Sequence, residues 1–245
     1  MRSLFTFTEP PRRCAYLPDR EASNEYEVVA ELSLSEYLQR MLDGWRRFGH
    51  TLFRPNCGSC RECRALRVDV ARFIPDRSQR RAWKENEDIE LRIGRPSLTA
   101  EKLDLYDRYH VYQEDAKGWP HHHPKDPDDY AESFIRHPFG IEEWCYYLNR
   151  RLVGVGYVDA VSKVSRELNE QEGLSLIYFF WEPKERSRGL GTFNVLSALD
   201  QARQRGLPWV YLGFYVEGCS SMQYKPRFQP NELRGDDGRW RPFRG

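Results

Sequence analysis

Long apolar runs are missing from this sequence. No stretch approaches the ~20 consecutive apolar residues of a membrane-spanning helix, so we expect no membrane segment. The first residues, MRSLFTFTEPPRR, lack the apolar core of a secretory signal. We therefore predict a cytoplasmic protein without a membrane partner, in which the six cysteines are reduced thiols. Internal repeats and low-complexity segments are also absent, which excludes a repeat protein.

The sequence has almost no net charge, but its charges are unevenly distributed. The formal net charge is +1, with 38 basic against 37 acidic residues. Between Arg40 and Lys84, however, twelve Lys and Arg residues stand against four Asp and Glu residues, a difference of eight. Such a block is typical of a surface that binds a polyanion. We expect a nucleic-acid partner, with an ordinary solvated basic face as the alternative.

A length of 245 residues fits one large domain or two modest ones. Gly94-Arg95-Pro96 marks the predicted boundary between residues 1–95 and 96–245. The predicted class is α+β: a small N-terminal cysteine-containing module, then a mixed sheet with flanking helices. In the first part, Ser33 and Glu36 match a capping box, which predicts a helix that continues to Gly49. In the second, residues 143–148 and 152–161 predict a hairpin.

Residues 173–215 predict a strand, a glycine turn, a helix and a second strand. The apolar run at residues 174–181 is too short for a helix, and a second such run follows at residues 209–215. Between them, Arg186-Ser187-Arg188-Gly189-Leu190-Gly191 precedes a helix whose N-terminal N–H groups attract an anion. This RxxGxG order resembles the signature of GCN5-related acyltransferases, where the turn holds the pyrophosphate of coenzyme A. An ordinary βαβ packing unit is the alternative.

Three cysteines at two-residue spacing form a second motif. Cys57, Cys60 and Cys63 follow one another closely enough for their sulfurs to reach one ion, and Cys14 is the natural fourth ligand. Zinc and an iron–sulfur cluster are both candidates, although the fourth cysteine of a ferredoxin pattern is missing. Reduced thiols in a tight loop are the alternative. The run His121-His122-His123 is predicted to be an exposed loop, since consecutive side chains point in different directions.

Taken together, the motifs resemble those of one family. The segments that carry the resemblance are CAYLP from Cys14, GWRR from Gly44, FRPNCGSCREC from Phe53, RSQRR from Arg77, GLS from Gly173, RSRGLG from Arg186, YLG from Tyr211 and GC from Gly218, followed by Met222, Tyr224, Lys225 and Phe228. In this order they are similar to the aminoacyl-tRNA–protein transferases of the arginyltransferase family. The compact length resembles the bacterial aspartate/glutamate leucyltransferase branch.

The resemblance implies transfer of an amino acid from aminoacyl-tRNA to the N-terminal amine of proteins that begin with Asp or Glu, marking them for degradation. Leucine is the favoured donor amino acid and arginine the alternative, and the transfer needs no cofactor. Two features depart from the family pattern: Ser221 stands where a lysine usually precedes the methionine, and residues 121–129 differ. Two competing functions are a coenzyme-A-dependent N-acetyltransferase and a non-catalytic zinc module that binds RNA.

Roles can be assigned to individual residues from this chemistry. Guanidinium groups pair with carboxylates in a bidentate manner, and the predicted acceptor-binding residues are Arg77, Arg80, Arg81 and, as a second choice, Lys225. The residues predicted to bind the tRNA 3′ end are Arg186, Arg188, Gly189 and Gly191. Those predicted to handle the proton or orient the amine are Asp159 and Tyr215, each near the end of a predicted strand. Each arginine could instead contact a tRNA phosphate.

Overall fold

The chain forms a mixed α+β fold, seen in a computed structural model that describes residues 1–244. The strands are β1 (Arg2–Thr8), β2 (Arg12–Arg13), β3 (Glu21–Ala22), β4 (Asn24–Glu31), β5 (Arg46–Phe48), β6 (Thr51–Pro55), β7 (Arg64–Asp69), β8 (Ile89–Gly94), β9 (Glu142–Leu148), β10 (Arg151–Val161), β11 (Gly173–Trp181), β12 (Trp209–Tyr215), β13 (Asn231–Arg234) and β14 (Trp240–Phe243). The α-helices are α1 (Leu34–Leu42), α2 (Arg77–Lys84), α3 (Ala100–Lys117), α4 (Pro127–Phe134) and α5 (Leu190–Gln204).

Eight strands make the main sheet, in the order β14-β13-β7-β12-β11-β10-β9-β8. β11 and β12 run parallel, and α5 supplies the crossover that a parallel pair requires. The predicted strand–turn–helix–strand unit and the predicted β9–β10 hairpin are therefore confirmed. A smaller sheet has the order β1-β4-β6-β5, and β2 pairs with β3.

The two faces of the main sheet are covered by different helices. α5 packs on one face, where alternate residues of β9 such as Trp144 and Tyr146 meet it. The intervening residues Cys145 and Tyr147 belong to the other face, with α3 and α4. α1 and the smaller sheet cover the remainder of this second face. This alternation follows from the two-residue period of a strand.

Helix α1 begins as the sequence predicts and ends earlier. Ser33 caps it, with reciprocal bonds between Ser33 and Glu36, so the capping box is confirmed. The helix ends at Leu42, and the prediction that it continues to Gly49 is wrong. Gly44 turns the chain with φ +93°, a conformation that favours glycine, and the next residues form β5. β5 holds two consecutive buried arginines, Arg46 and Arg47.

Strands from both parts of the sequence share the main sheet. β7 lies between β12 and β13, and β8 forms an edge beside β9. The division into residues 1–95 and 96–245 stays a prediction, with two strands of the first part paired to strands of the second. Among residues 1–244, no helix has both the length and the apolar character needed to cross a membrane.

Candidate active site

The main sheet opens where β11 and β12 diverge. The two strands pair only from Gly173 to Ser175, opposite Trp209 to Tyr211. At the closed end, a Cβ on Gly173 would lie 2.3 Å from the carbonyl oxygen of Trp209, so only glycine allows this approach. Beyond Ser175, β11 remains paired with β10 alone. Backbone and side chains next to the divergence are therefore available for binding.

A row of polar side chains crosses the main sheet at this level. The members of this polar row are register partners on five neighbouring strands: Asp159 (β10), Ser175 (β11), Tyr211 (β12), Arg67 (β7) and Glu232 (β13). Partners in register project from the same face of a sheet. Here that face is the one opposite α5, since Tyr211 packs with α1. The row places charged groups inside an otherwise apolar layer.

Arg47 joins β5 to the polar row through a buried ion pair. Its Nε donates to Oδ2 of Asp159 over 3.1 Å, and its Nη2 donates to Oδ1. Its Nη1 donates to the carbonyl oxygen of Gly49 and lies 2.8 Å from Nδ1 of His137. Burial, reinforced by the charge of Arg47, lowers the pKa of His137 to about 4, so this imidazole is neutral. Both oxygens of Asp159 are thus occupied, and its predicted role in proton handling stays a prediction.

Arg46 and Lys225 lie on the same face, and neither has an acidic partner among residues 1–244. Arg46 donates from Nη1 to the carbonyl oxygens of Met41 and Trp45, and its guanidinium lies 5.0 Å from the ring centre of Phe214. Burial lowers the pKa of Arg46 to about 10. Lys225 donates to the carbonyl oxygen of Phe214 over 2.5 Å. Burial first, and the charge of Arg46 second, lower the pKa of Lys225 to about 8.

A cleft of about 310 Å³ lies beside this pair. Phe214 of β12 and Gly44 form part of its wall. The arginines that line it are Arg54, Arg61, Arg64 and Arg234, accompanied by the acidic residues Asp43, Glu62 and Asp236. All three cysteines of the motif, Cys57, Cys60 and Cys63, also line it. The basic block and the cysteine motif therefore meet at one cleft.

The four predicted metal ligands are close together but are not arranged as a metal site. Burial, followed by the charges of Cys57, Cys14 and Cys60, raises the pKa of Cys63 to about 12. The sulfur of Cys14 accepts two backbone N–H bonds, and that of Cys60 accepts one from Arg20. In residues 1–244 no group of three His, Cys, Asp or Glu side chains is placed to hold a metal ion. The residues as arranged do not fit zinc or an iron–sulfur cluster.

The glycine turn precedes α5 as predicted, but its two arginines differ. Gly189 adopts φ +66° at the N-cap of α5, and a Cβ added at Gly191 would meet no neighbouring atom of the described residues within 4 Å. Arg188 pairs with Asp88 and also donates to the carbonyl oxygen of Glu85. Arg186 is exposed. The turn therefore offers open backbone and one solvent-facing guanidinium, while Arg188 is engaged within the protein.

The remaining predicted residues lie apart from the polar row. Arg77, Arg80 and Arg81 are exposed on α2, which packs against α5. Arg80 donates to the carbonyl oxygen of Pro75. Tyr215 is buried at the end of β12, with its ring 5.4 Å from that of Phe243. Solvent-facing arginines suit a large polyanion as well as a carboxylate.

A tyrosine–histidine pair was missed by the sequence analysis. Tyr178 of β11 lies 2.7 Å from Nε2 of His110 on α3. His110 donates from Nδ1 to the carbonyl oxygen of Tyr106, so Nε2 accepts the Tyr178 proton. Burial lowers the pKa of His110, which keeps it neutral. In the sequence, the only indication was the four-residue spacing of Tyr106 and His110, which places their side chains next to each other on one face of α3.

The bulge in β11 puts Tyr178 on the face of the polar row. Tyr157 pairs with Tyr178 and Val158 with Leu176, so Ile177 is the extra residue. The Tyr178–His110 pair and the polar row thus share one face.

Residues 121–123 lie in a loop, as predicted, with His121 and His123 exposed. Only the middle residue differs from the prediction: the His122 side chain is 12% exposed, and its Nε2 lies 2.8 Å from Oδ1 of Asp107.

Two sequence models of one family, and relatives aligned over nearly the whole length, match this chain. A sequence model described as "Arginine-tRNA-protein transferase, C terminus" matches residues 101–235, and its N-terminal counterpart matches residues 12–81. The chain is 35% identical over 245 residues to an aspartate/glutamate leucyltransferase of Marinobacter nauticus, covering 98% of this chain and 97% of the relative. A protein of the same name from Stenotrophomonas maltophilia is 36% identical over 244 residues, covering 98% and 92%.

Among solved structures, the fold is similar to the C-terminal domain assigned to a lysylphosphatidylglycerol synthetase from Agrobacterium fabrum. The TM-score is 0.49 and the sequence identity 11%, and the match covers 85% of this chain and 64% of that one. It is also similar to a GCN5-related glucosamine N-acetyltransferase region of a fungal β-N-acetylglucosaminidase, with a TM-score of 0.41, 16% identity, and coverage of 81% and 22%. Because both parts of the sequence match the family and the relatives align over nearly its whole length, the chain belongs to the arginine-tRNA-protein transferase family.

Proposed function

We propose that this protein transfers leucine from leucyl-tRNA to the N-terminal amine of proteins that begin with Asp or Glu. The observation that carries the proposal is the 35% identity, over 98% of this chain, to a relative named aspartate/glutamate leucyltransferase. The acceptor then begins with leucine instead of an acidic residue. We further propose that this change marks the acceptor for degradation.

The chemistry asks mainly for positioning, because the aminoacyl ester is already activated. An α-amine has a reference pKa of about 7.7–8.0, so a substantial fraction is neutral near pH 7. Holding amine and ester together can lower the barrier by several kcal/mol, on the order of the effect of intramolecular reactions. We place the reacting groups beside the divergence of β11 and β12, where polar side chains of three strands face one side.

A proton must leave the amine as the new amide forms. We propose that Tyr178 and His110 carry it, because the phenol already donates to a neutral imidazole 2.7 Å away. As the amide C–N bond forms, the amine would give its proton to the phenol oxygen while the phenol gives its own proton to Nε2 of His110. The ester C–O bond then breaks, and the departing ribose oxygen of the tRNA would take up a proton as the imidazole returns it through the phenol. Asp159 and Tyr215 remain the alternatives predicted from the sequence.

The tRNA is proposed to bind along exposed basic groups. Gly191 offers a backbone N–H group in the first turn of α5, whereas the N–H of Gly189 donates to the carbonyl oxygen of Arg186, whose side chain is exposed. α2 packs against α5 and carries the exposed Arg77, Arg80 and Arg81. Changing Arg80 or Arg81 to Ala tests their two candidate roles: a loss of selectivity for acidic acceptors assigns them to the acceptor, whereas a raised KM for leucyl-tRNA alone assigns them to tRNA.

No cofactor enters the proposed transfer. Zinc or an iron–sulfur cluster at Cys14, Cys57, Cys60 and Cys63 would require these side chains to rearrange, because no three of the described His, Cys, Asp and Glu side chains are placed to hold one metal ion. Metal analysis and visible absorption of anaerobically purified protein test this directly. A stoichiometric metal that is lost in the Cys57→Ser variant would establish the site. Metal-free protein that still transfers leucine would show that the reaction does not need it.

The central experiment supplies two donors separately to one set of peptides. The peptides differ only in their first residue: Asp, Glu, Lys or Ala. Leucine added to the Asp and Glu peptides alone is the expected result. Arginine on the same peptides would move the protein to the sister activity. Transfer of neither by folded protein would refute the proposal, and acetyl transfer from acetyl coenzyme A would then identify an acetyltransferase.

A further inference from the structure

Two buried cations have no counter-ion in the described part of the chain. Arg46 is 6% exposed and Lys225 is 8% exposed. Neither lies within ion-pair distance of a carboxylate among residues 1–244, whereas the remaining buried cations are paired: Arg47 with Asp159, Arg67 with Glu232 and Lys102 with Glu143. An unpaired buried charge destabilises a folded protein. A ligand that supplies the missing negative charge explains why such a pair is present.

The free edge of Arg46 has the shape that a carboxylate requires. Its Nε and Nη2 are buried and have no hydrogen-bond partner within residues 1–244. These are the two nitrogens that the neighbouring Arg47 uses to hold both oxygens of Asp159. Parallel N–H bonds from this edge match a planar carboxylate. Nη1 of Arg46 is already engaged with two carbonyl oxygens, which fixes the guanidinium in place.

Lys225 belongs to the same small region. Arg46 lies over the ring of Phe214, and Lys225 donates to the carbonyl oxygen of that residue. The charge of Arg46 contributes to the lowered pKa of Lys225, as expected for two nearby cations. One more buried polar atom on this face of the sheet, Ser175 Oγ, has no hydrogen-bond partner among residues 1–244.

A cleft adjoins these groups through Phe214. The ring of Phe214, whose centre lies 5.0 Å from the Arg46 guanidinium, also lines the cleft of about 310 Å³. That volume falls within the ~300–1,000 Å³ typical of small-ligand sites. Four arginines line the cleft against three acidic residues, so its lining carries a small positive charge that favours the approach of an anionic group.

We propose that Arg46 and Lys225 form the subsite that binds the side-chain carboxylate of the acceptor's first residue, entering from the cleft beside Phe214. This inference rests on the proposed function, since it names the residues by which the same reaction selects Asp and Glu. A carboxylate on a short side chain fits a buried fork better than a phosphodiester, which is attached to bulky sugars on two sides. The exposed arginines of α2 and the α5 turn remain for tRNA phosphates.

The test combines binding with steady-state transfer, using the full-length protein. Peptides that differ only in Asp or Asn at the first position are titrated into wild type, Arg46→Gln, Arg46→Lys and Lys225→Met. Arg92→Gln is the matched control, because Arg92 is an exposed arginine paired with Glu90 on the edge strand β8. Unfolding midpoints of all variants establish that each is folded.

We expect Arg46→Gln and Lys225→Met each to weaken binding of the Asp peptide, and to raise its KM, on the order of 10- to 100-fold. Binding of the Asn peptide and KM for leucyl-tRNA should be unchanged, so the preference for Asp over Asn collapses. Arg46→Lys, which keeps the charge but lacks the fork, should retain part of the preference. Arg92→Gln should behave as wild type.

Two results would overturn the subsite. One is an unchanged Asp-to-Asn preference in folded Lys225→Met or Arg46→Gln protein. The other is a raised KM for leucyl-tRNA with that preference intact, which would assign the two cations to a tRNA phosphate. Failure of the proposed function looks different: wild type would then bind the Asp peptide in preference to the Asn peptide and transfer no leucine to it.

Discussion

Changing Asp159 to Asn separates a structural role of this residue from a catalytic one. The Arg47–Asp159 pair is almost fully buried, with side-chain exposures of 1% and 0%. Asn keeps the size of Asp but removes the negative charge, which leaves the Arg47 guanidinium in the interior without compensation. Breaking such a pair from one side typically costs about 3–5 kcal/mol in the free energy of unfolding. For a chain of this length that corresponds to a fall in the unfolding midpoint of roughly 6–20 °C.

The measurement is thermal and urea unfolding followed by circular dichroism, with transfer activity measured well below the midpoint. Glu90→Gln, which breaks an exposed pair with Arg92, is the control and should leave the midpoint unchanged. Replacing both partners by apolar residues of similar volume should recover much of the loss, because no charge then remains buried. An unfolding free energy within about 1 kcal/mol of wild type, together with a large fall in kcat, would refute this reasoning. Asp159 would then be catalytic.

Three further predictions concern backbone, charge and proton transfer. The Gly49→Ala variant should be severely destabilised and poorly soluble, because Gly49 has φ +53° and a Cβ there would lie 2.1 Å from the carbonyl oxygen of Glu132. The control is Gly58→Ala, where an added Cβ meets open space and the unfolding midpoint should match that of wild type. In the folded protein, burial lowers the pKa of Lys225 to about 8 from its ordinary 10.5. Between these two values the unfolded chain binds more protons than the folded one, so the free energy of unfolding should rise with pH across this window. Urea titrations of Lys225→Met at several pH values should show a smaller rise. The Tyr178→Phe variant lacks the hydroxyl that donates to His110. We expect its kcat to fall at least about 100-fold, with little change in KM for either substrate. An unchanged kcat would exclude Tyr178 and His110 from proton transfer.

Local patterns in the sequence predicted the elements that local interactions determine. The capping box of α1 needs only Ser33 and Glu36, which are three residues apart, and both bonds form. The β9–β10 hairpin and the unit from β11 to β12 were also predicted, since apolar runs and turn residues define them within a short segment. These elements include the parallel pair whose divergence forms the candidate site.

Contacts between distant residues were not predictable in this way. Arg46 and Arg47 were assigned to a helix that ends at Leu42, because Trp45 continues its apolar spacing and nothing local shows that Gly44 adopts φ +93°. The polar row needs the register of five strands, and a register is set by tertiary pairing. The cysteine spacing predicted a metal site, but spacing alone does not decide whether the sulfurs face a common point, and among residues 1–244 no three ligand side chains do.

The position of β7 between β12 and β13 has a consequence for synthesis of the protein. Arg67 of β7 bonds to Glu232 of β13 across a sequence separation of 165 residues. At ribosomal speeds of 5–20 residues per second, β7 therefore waits roughly 10–30 s before both of its neighbours have been made. During that interval its backbone edges are open to pairing with other chains. We expect nascent chains stalled before β13 to depend on chaperones and to aggregate without them.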